Sequence, residues 1–257
     1  MKTALISLSD EGAGLVTRLK AGLGNADVFL HEKVSESFEG SRFKRIITLT
    51  REIFSLYDGL VYTAPCGVVV RALAQNIRHK GTDPGVVVVD AAGRFAVSLL
   101  GGHEGGANDL AIAVSNIIGG EPVITTTTEA LKTVIVGIGC RRGVRAGAIV
   151  DAVDSALREA GVERAEVRLL ASADIKSDEK GLLGAADLLG IPLRFIRSEE
   201  IRSSCRGFAR SDFVEKKVNL PAVAEPAALL AGRRTRLILP KIKSGTVTVA
   251  LARESFM

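Results

Sequence analysis

Short β-branched apolar runs alternate along the chain with longer stretches whose apolar residues recur at helical spacing. In the first half, residues 4–8, 28–30, 60–63, 86–89, 95–99 and 123–125 read as strands. Helical patterns fall over 11–22, 51–57, from Pro65-Cys66-Gly67 to about His79, and through Leu110, Val114, Ile117 and Ile118. Ser9-Asp10 suits a helix cap. Residues 86–89 and 95–99 flank Asp90-Ala91-Ala92-Gly93-Arg94, which predicts a hairpin. In the second half, strands are predicted at 134–138, 167–170, 193–196, 237–239 and 246–251, and helices at 145–160, 179–189 and 224–231. Strands alternating with helices predict an α/β protein: two three-layer α/β/α modules with largely parallel sheets. The threonine run ending at Thr128 and the strand opening near Thr133 place the boundary, giving domains 1–130 and 131–257.

Composition narrows the function classes. An apolar fraction of 47% over 257 residues is enough for sizeable cores and argues against disorder. Aromatics are only 4% and Trp is absent, so the stacking platforms of single-strand nucleic-acid binders are missing. A net charge of +5 suits a polyanionic partner without reaching the charge density of a nucleic-acid protein. Cys66, Cys140 and Cys205 are odd in number and far apart, which supports neither a disulfide framework nor a zinc ribbon. His31, His79 and His103 lack metal-ligand spacing. The N-terminal apolar run is too short for a signal peptide, and no run reaches membrane-spanning length, so a cytoplasmic location is expected.

Candidate chemistry concentrates in Gly101-Gly102-His103-Glu104-Gly105-Gly106-Ala107-Asn108-Asp109, between a predicted strand and a predicted helix. A glycine-rich strand-to-helix turn brings backbone close to a ligand and points N–H groups at it. His103 and Glu104 add acid/base capacity there. The residues leave two readings of His103 open: a proton-transfer group, or polar glue bonded to its own loop. Glu104, Asn108 and Asp109 also fit as ordinary first-turn partners of the helix dipole. Thr125 and Thr126 place hydroxyls after a strand end, where ligands bind in open α/β sheets.

Gly137-Ile138-Gly139-Cys140-Arg141-Arg142-Gly143 also joins a strand to a helix. As a dinucleotide fingerprint it fails, because Arg142 stands where the third glycine belongs, and no Gly-Lys-Ser/Thr of a P-loop occurs anywhere. A helix start flanked by Arg141, Arg142 and Arg145 suits carboxylates or phosphates, and equally suits a plain turn with solvated arginines. Cys66 and Cys140 lie near helix starts, where a thiol is activated, but both also fit as small buried hydrophobes.

In order, these motifs resemble the cobalamin-biosynthesis family CbiG, the cobalt-precorrin-5A hydrolases. The likeness is carried by Gly67-Val68-Val69-Val70-Arg71, by Lys80 with Asp83-Pro84-Gly85 and the valines to Asp90, by Gly102-His103-Glu104-Gly105-Gly106-Ala107-Asn108, and by Pro122-Val123-Ile124-Thr125-Thr126. It continues through Gly137–Gly143, the segment from Ala171 to Lys176 with Glu179, the run from Val223 to Leu229 including Glu225, Pro240-Lys241, and Val247-Thr248-Val249-Ala250. The family usually carries a middle region between its two modules. Here Thr128 is followed almost at once by the strand from Thr133, and the usual Thr-Thr-Ala-Thr-Asp reads Thr125-Thr126-Thr127-Thr128-Glu129. The C-terminal module is similar to the stand-alone CobE protein.

The resemblance implies an anionic cobalt-tetrapyrrole substrate bearing acetate and propionate arms and a δ-lactone. Water opens the lactone and acetaldehyde leaves. His103 and Glu104 are the expected catalytic residues. Gly101, Gly102, Gly105, Gly106, Asn108, Thr125, Thr126, Gly139, Arg141, Arg142, Lys176, Glu225 and Lys241 are the expected substrate contacts. No cofactor and no protein metal site are expected, because the substrate carries the cobalt. The expected partner is the anionic cobalt-tetrapyrrole substrate, with neither nucleic acid nor membrane; other enzymes of the corrin pathway and a homodimer are left open. The alternative is a non-catalytic carrier of corrinoid intermediates. A nucleotide-dependent oxidoreductase rests on Gly137-Ile138-Gly139 alone.

Overall fold

The computed structural model describes residues 1–209, 215 and 219–255. It divides into two compact units, Met1–Thr126 and Thr127–Met257. Among the described residues no helix is long and apolar enough to cross a membrane.

The first unit is built on strands β1 (Thr3–Ser7), β2 (Ala26–His31), β3 (Ser41–Phe43), β4 (Gly59–Thr63), β5 (Gly85–Val89), β6 (Phe95–Leu100) and β7 (Glu121–Val123), in sheet order β3-β2-β1-β4-β5-β6-β7. Its helices are α1 (Asp10–Leu23), α2 (Ile46–Ile53), α3 (Cys66–Leu73) and α4 (Ala107–Ile118). Strands β1 to β5 pair in parallel with their neighbours. Strand β6 runs antiparallel to β5 through the hairpin at Asp90–Arg94, and β7 runs parallel to β6. The carboxyl ends of β6 and β7 therefore lie at the edge where β4 and β5 begin.

Helices cover both faces, which explains the unbroken valine run of β5. Val87 and Val89 pack with Leu15, Val16 and Leu19 of α1 and Leu110, Ala111 and Val114 of α4. Val86 and Val88 pack with Leu49 and Ile53 of α2 and Val69 and Leu73 of α3. Each fully buried valine contributes about 1.5–3 kcal/mol of transfer free energy. Ser9 caps α1 by accepting from the Gly12 N–H at 3.3 Å, with Asp10 and Glu11 in the first turn and Lys20 in the last, each complementing the helix dipole.

The second unit holds β8 (Val134–Cys140), β9 (Val167–Ala173), β10 (Leu193–Ile196), β11 (Thr235–Ser244) and β12 (Val247–Glu254), in order β10-β9-β8-β12-β11. Its helices are α5 (Thr127–Ala130), α6 (Ala146–Ala160), α7 (Lys180–Leu189), α8 (Ser198–Ser203) and α9 (Ala224–Leu230). Apolar residues of α6 and α7 pack one sheet face, and those of α8 and α9 the other. Only β8, β9 and β10 are mutually parallel; β12 is antiparallel to both β8 and β11. This sheet is mixed rather than largely parallel. The reason is legible in the spacing: Gly245-Thr246, with Gly245 at φ 55°, is all that joins β11 to β12, too little for a parallel crossover.

Other differences are local. The helix expected at 51–57 occupies Ile46–Ile53, which buries Leu49, Thr50 and Ile53. The helix expected to reach His79 ends at Leu73. Beyond it, the buried Asp83 carboxylate accepts from the N–H groups of Arg78 and His79 at 2.9 and 3.1 Å and closes a turn.

Backbone contact dominates one corner of the first unit. A methyl group on Gly85 would stand 2.4 Å from the Gly105 carbonyl oxygen and 2.9 Å from the Ala107 nitrogen. Gly85→Ala should therefore destabilise the protein by about 1–3 kcal/mol through overpacking against rigid backbone. Gly14→Ala in α1, where a methyl would meet nothing within 4 Å, should be neutral or stabilising by about 0.5–1 kcal/mol. Urea denaturation of the two variants checks this; equal midpoints would contradict it.

Candidate functional site

The loop between β6 and α4 holds its shape through its own backbone. Gly101 and Gly106 adopt φ values of 66° and 74°, in the left-handed region glycine favours. The Gly101 carbonyl accepts from the Ala107 N–H at 3.1 Å, and the Gly102 carbonyl from the Asn108 N–H at 2.9 Å. The first amides of α4 are thus consumed by the loop rather than left for an anion. The N–H groups of Gly102, His103 and Gly105 meet no acceptor among the described residues. These are the donors the loop has to offer.

His103 is exposed, and its imidazole makes no hydrogen bond to any described residue. The polar-glue reading requires such a bond. Glu104 pairs with Lys80, Oε1 to Nζ at 2.8 Å. That hydrogen bond is the main reason the Glu104 carboxyl is held below the usual carboxylate range, and the same contact raises Lys80. Glu104 is therefore an anion at neutral pH and an acceptor, not a store of protons. The pair is exposed and adds little to stability.

Asn108 is buried and bonded at both ends of its amide. Its Oδ1 accepts from Ser98 Oγ at 2.8 Å, and its Nδ2 donates to Thr126 Oγ1 at 3.0 Å. It works as a clamp tying the Thr126 hydroxyl to β6. Thr126 in turn lies beside Gly102, where an added methyl would stand 2.5 Å from the Thr126 side-chain methyl carbon. Thr125 is exposed nearby in sequence. The structure thus gathers Gly101, Gly102, His103, Glu104, Gly105, Gly106, Asn108 and Thr126 around the carboxyl ends of β6 and β7.

Sequence reasoning left Lys80 and Ser98 out of this group. The signal for Lys80 lay in Asp83-Pro84-Gly85: the turn closed by Asp83 folds Lys80 back over the loop, and Gly85 lets the two backbones touch.

In the second unit, Cys140 ends β8, and the Asp174–Lys176 turn follows β9 directly. Arg142 is already committed: one guanidinium nitrogen donates to both oxygens of Asp178 at 2.9 Å, and another to the Ile175 carbonyl at 3.0 Å. The Gly143 N–H donates to the buried Glu179 carboxylate at 3.0 Å, and the Arg141 N–H to the Thr246 carbonyl at 3.1 Å. Much of the anion-binding capacity expected of this turn is met internally. Arg141 remains exposed at the rim. Lys176 is buried. Burial pushes the Cys140 thiol up, opposed by the nearby positive charge of Lys176.

Gly139 packs against Thr248 and the start of α9. Glu225 and Lys241 come together, but as structure. The buried Glu225 carboxylate accepts from the N–H groups of Ala209 and Lys241 at 2.6 and 2.9 Å, and Lys241 Nζ donates to the Ala209 carbonyl at 3.2 Å. Among the described residues no group of three or more His, Cys, Asp or Glu could hold a metal ion.

Comparison with known proteins places these features in a family. The family model for the cobalamin synthesis G N-terminal region matches residues 48–129, and that for the cobalamin synthesis G C-terminus matches residues 134–252. A cobalt-precorrin-5A hydrolase of Priestia megaterium is 24% identical over 352 aligned positions, covering 97% of this chain and 94% of that protein. One from Salmonella typhimurium is 24% identical over 344 positions, covering 96% of each chain. Both alignments are longer than the 257-residue chain, so each relative carries residues inside the matched span that this chain lacks. Protein CobE of a Sinorhizobium species is 35% identical over 128 residues, covering 49% of this chain and 83% of that protein.

The Lys80–Glu104 contact predicts a titration. Because the folded-state pKa of Glu104 is depressed, the pair is intact above the ordinary carboxylate range of about 4.3 and is lost as pH falls through the depressed value. Carbon-detected NMR should place the Glu104 midpoint below that range in the parent and move it upward in Lys80→Met. An unchanged midpoint in the variant would show that Lys80 does not hold the carboxylate.

Proposed function

Because the chain belongs to the cobalamin synthesis G family, we propose that it is a cobalt-precorrin-5A hydrolase that opens the substrate's δ-lactone at the His103 loop and releases acetaldehyde. The observation that carries the assignment of the site is the exposed imidazole of His103, which bonds no described residue, in the same loop as N–H groups that meet no acceptor among the described residues. Ester opening needs a base for water and donors for the carbonyl oxygen as it becomes an oxyanion. The loop offers both.

In this reading His103 removes a proton from water as the water oxygen adds to the lactone carbonyl carbon. The N–H groups of Gly102, His103 and Gly105 supply donors for the developing oxyanion. The ring C–O bond then breaks, and the proton passes to the freed alcohol oxygen, leaving a carboxylic acid arm and a hydroxyethyl group. Loss of that hydroxyl proton lets the adjacent carbon–carbon bond break. The two-carbon fragment leaves as acetaldehyde, and the electron pair stays on the macrocycle, which takes up a proton. Lactone and water are thereby converted to acid, acetaldehyde and protonated macrocycle with no oxidant or reductant. Glu104, fixed by Lys80, acts as a negative charge beside His103 that favours the imidazolium formed during the step. The cobalt is part of the substrate. The reaction belongs in this reading to the cytoplasm, among other corrin-pathway enzymes.

Purified protein given the lactone-bearing cobalt intermediate should release acetaldehyde. His103→Ala and His103→Asn should both lower kcat by roughly 10²–10⁴-fold, with KM little changed. Near-normal turnover in His103→Asn would remove His103 from the chemistry. Tight tetrapyrrole binding with no aldehyde from the parent protein would favour the carrier instead.

A further inference from the structure

We infer that the second unit carries a carboxylate-binding site centred on the Lys176 ammonium, at the adjacent carboxyl ends of β8 and β9, which takes one acid arm of the substrate.

Lys176 is 92% buried, with a relative exposure of 8%. Its Nζ makes no hydrogen bond and no ion pair to any described residue. A buried cation normally has a partner, because removing its water without replacing the lost interactions is costly. The ammonium is also not sealed in. Among the described residues, Lys176 Nζ is not one of the fully enclosed side-chain nitrogens and oxygens that lack a hydrogen bond. The Lys176 stem is thus packed into the protein while its charged end still reaches solvent, ready to be met from outside.

The neighbours explain why the charge is unspent. Asp178 is held by Arg142, and Glu179 by the Gly143 N–H. Both acids point their capacity elsewhere, and Arg142, whose fork would otherwise suit a phosphate, is fixed by Asp178 and the Ile175 carbonyl. What remains is one compact ammonium, with Asp178 already matched by Arg142 and the Glu179 carboxylate as the nearby negative charge. That arrangement favours a singly charged carboxylate over a phosphate dianion, which the Glu179 carboxylate repels twice as strongly. The carboxylate's origin in a tetrapyrrole arm rests on the proposed function; the site itself does not.

The test is a titration of the full-length protein with propionate at constant ionic strength, followed by amide NMR. Saturable shifts are expected at Cys140, Lys176 and Glu179, with inorganic phosphate binding more weakly. Lys176→Met, which keeps an apolar stem, should weaken propionate by roughly tenfold or more, the scale of one charge-assisted hydrogen bond. Shifts in the parent that never saturate, equal propionate affinity in Lys176→Met, or tighter binding of phosphate would each overturn the inference. The parent titration decides the matter even if the variant fails to fold. The readout is binding, not turnover, so an absence of aldehyde release would remove the hydrolase reading and leave this one standing.

Discussion

The contact of Gly85 with Gly105 and Ala107 governs the geometry of the first unit's site. No side chain intervenes, and there is no room for one. Gly85 opens β5, a strand buried on both faces between two helix layers, so its position is fixed by the core. The loop pressed against it inherits that rigidity. From there the consequences run outward. The carbonyls of Gly101 and Gly102 turn inward to the first amides of α4, and the N–H groups of Gly102, His103 and Gly105 are engaged by no described residue. A loop built this way positions donors without spending side chains on the task, which suits electrostatic stabilisation by preorganised backbone.

Polar groups around the loop sort into those consumed by the fold and those left over. Asn108 is consumed as a clamp between Ser98 and Thr126, and Asp83 as the closure of the turn beneath Lys80. Lys80 and Glu104 pair with one another at the surface, which fixes the carboxylate beside His103. The His103 side chain is left over. The second unit repeats the pattern with different chemistry: Arg142, Glu179 and Glu225 are engaged, and the Lys176 ammonium is not. Lys176 follows the carboxyl end of parallel strand β9, the edge from which α/β folds present their chemistry, whereas His103 follows the carboxyl end of β6, which runs antiparallel to β5 and so opens onto the opposite edge of the first sheet.

Much of this was legible in the sequence. The valine run of β5, the hairpin at Asp90–Arg94 and the glycine turn into α4 were readable because local pattern and tertiary role agree there. Strand β3 and helix α8 were not, since three residues and six residues carry too little periodicity to register. The mixed second sheet was missed because alternating elements suggested crossovers, whereas the short Gly245-Thr246 link permits only a hairpin. At the candidate site, residue types drew attention to Gly101–Gly106, but spacing cannot tell an engaged polar group from an unengaged one. Asn108, Arg142 and Glu225 looked like ligand contacts. Only three-dimensional pairing across 10 to 36 positions shows that Asn108 and Arg142 are tied internally. Lys80, noted in the sequence only as part of a turn, was not placed beside Glu104 for the same reason, its partner lying 24 positions away beyond that turn.

The central claim is that water adds to the lactone carbonyl at the His103 loop. Turnover in ¹⁸O-labelled water, with mass analysis of the tetrapyrrole product, tests it most directly. One ¹⁸O atom should appear in the carboxyl group freed from the lactone, because that bond is made by the attacking water. A product whose new carboxyl group carries only the original oxygens would mean that the ring oxygen leaves with the acid by cleavage on its other side, and would contradict the account.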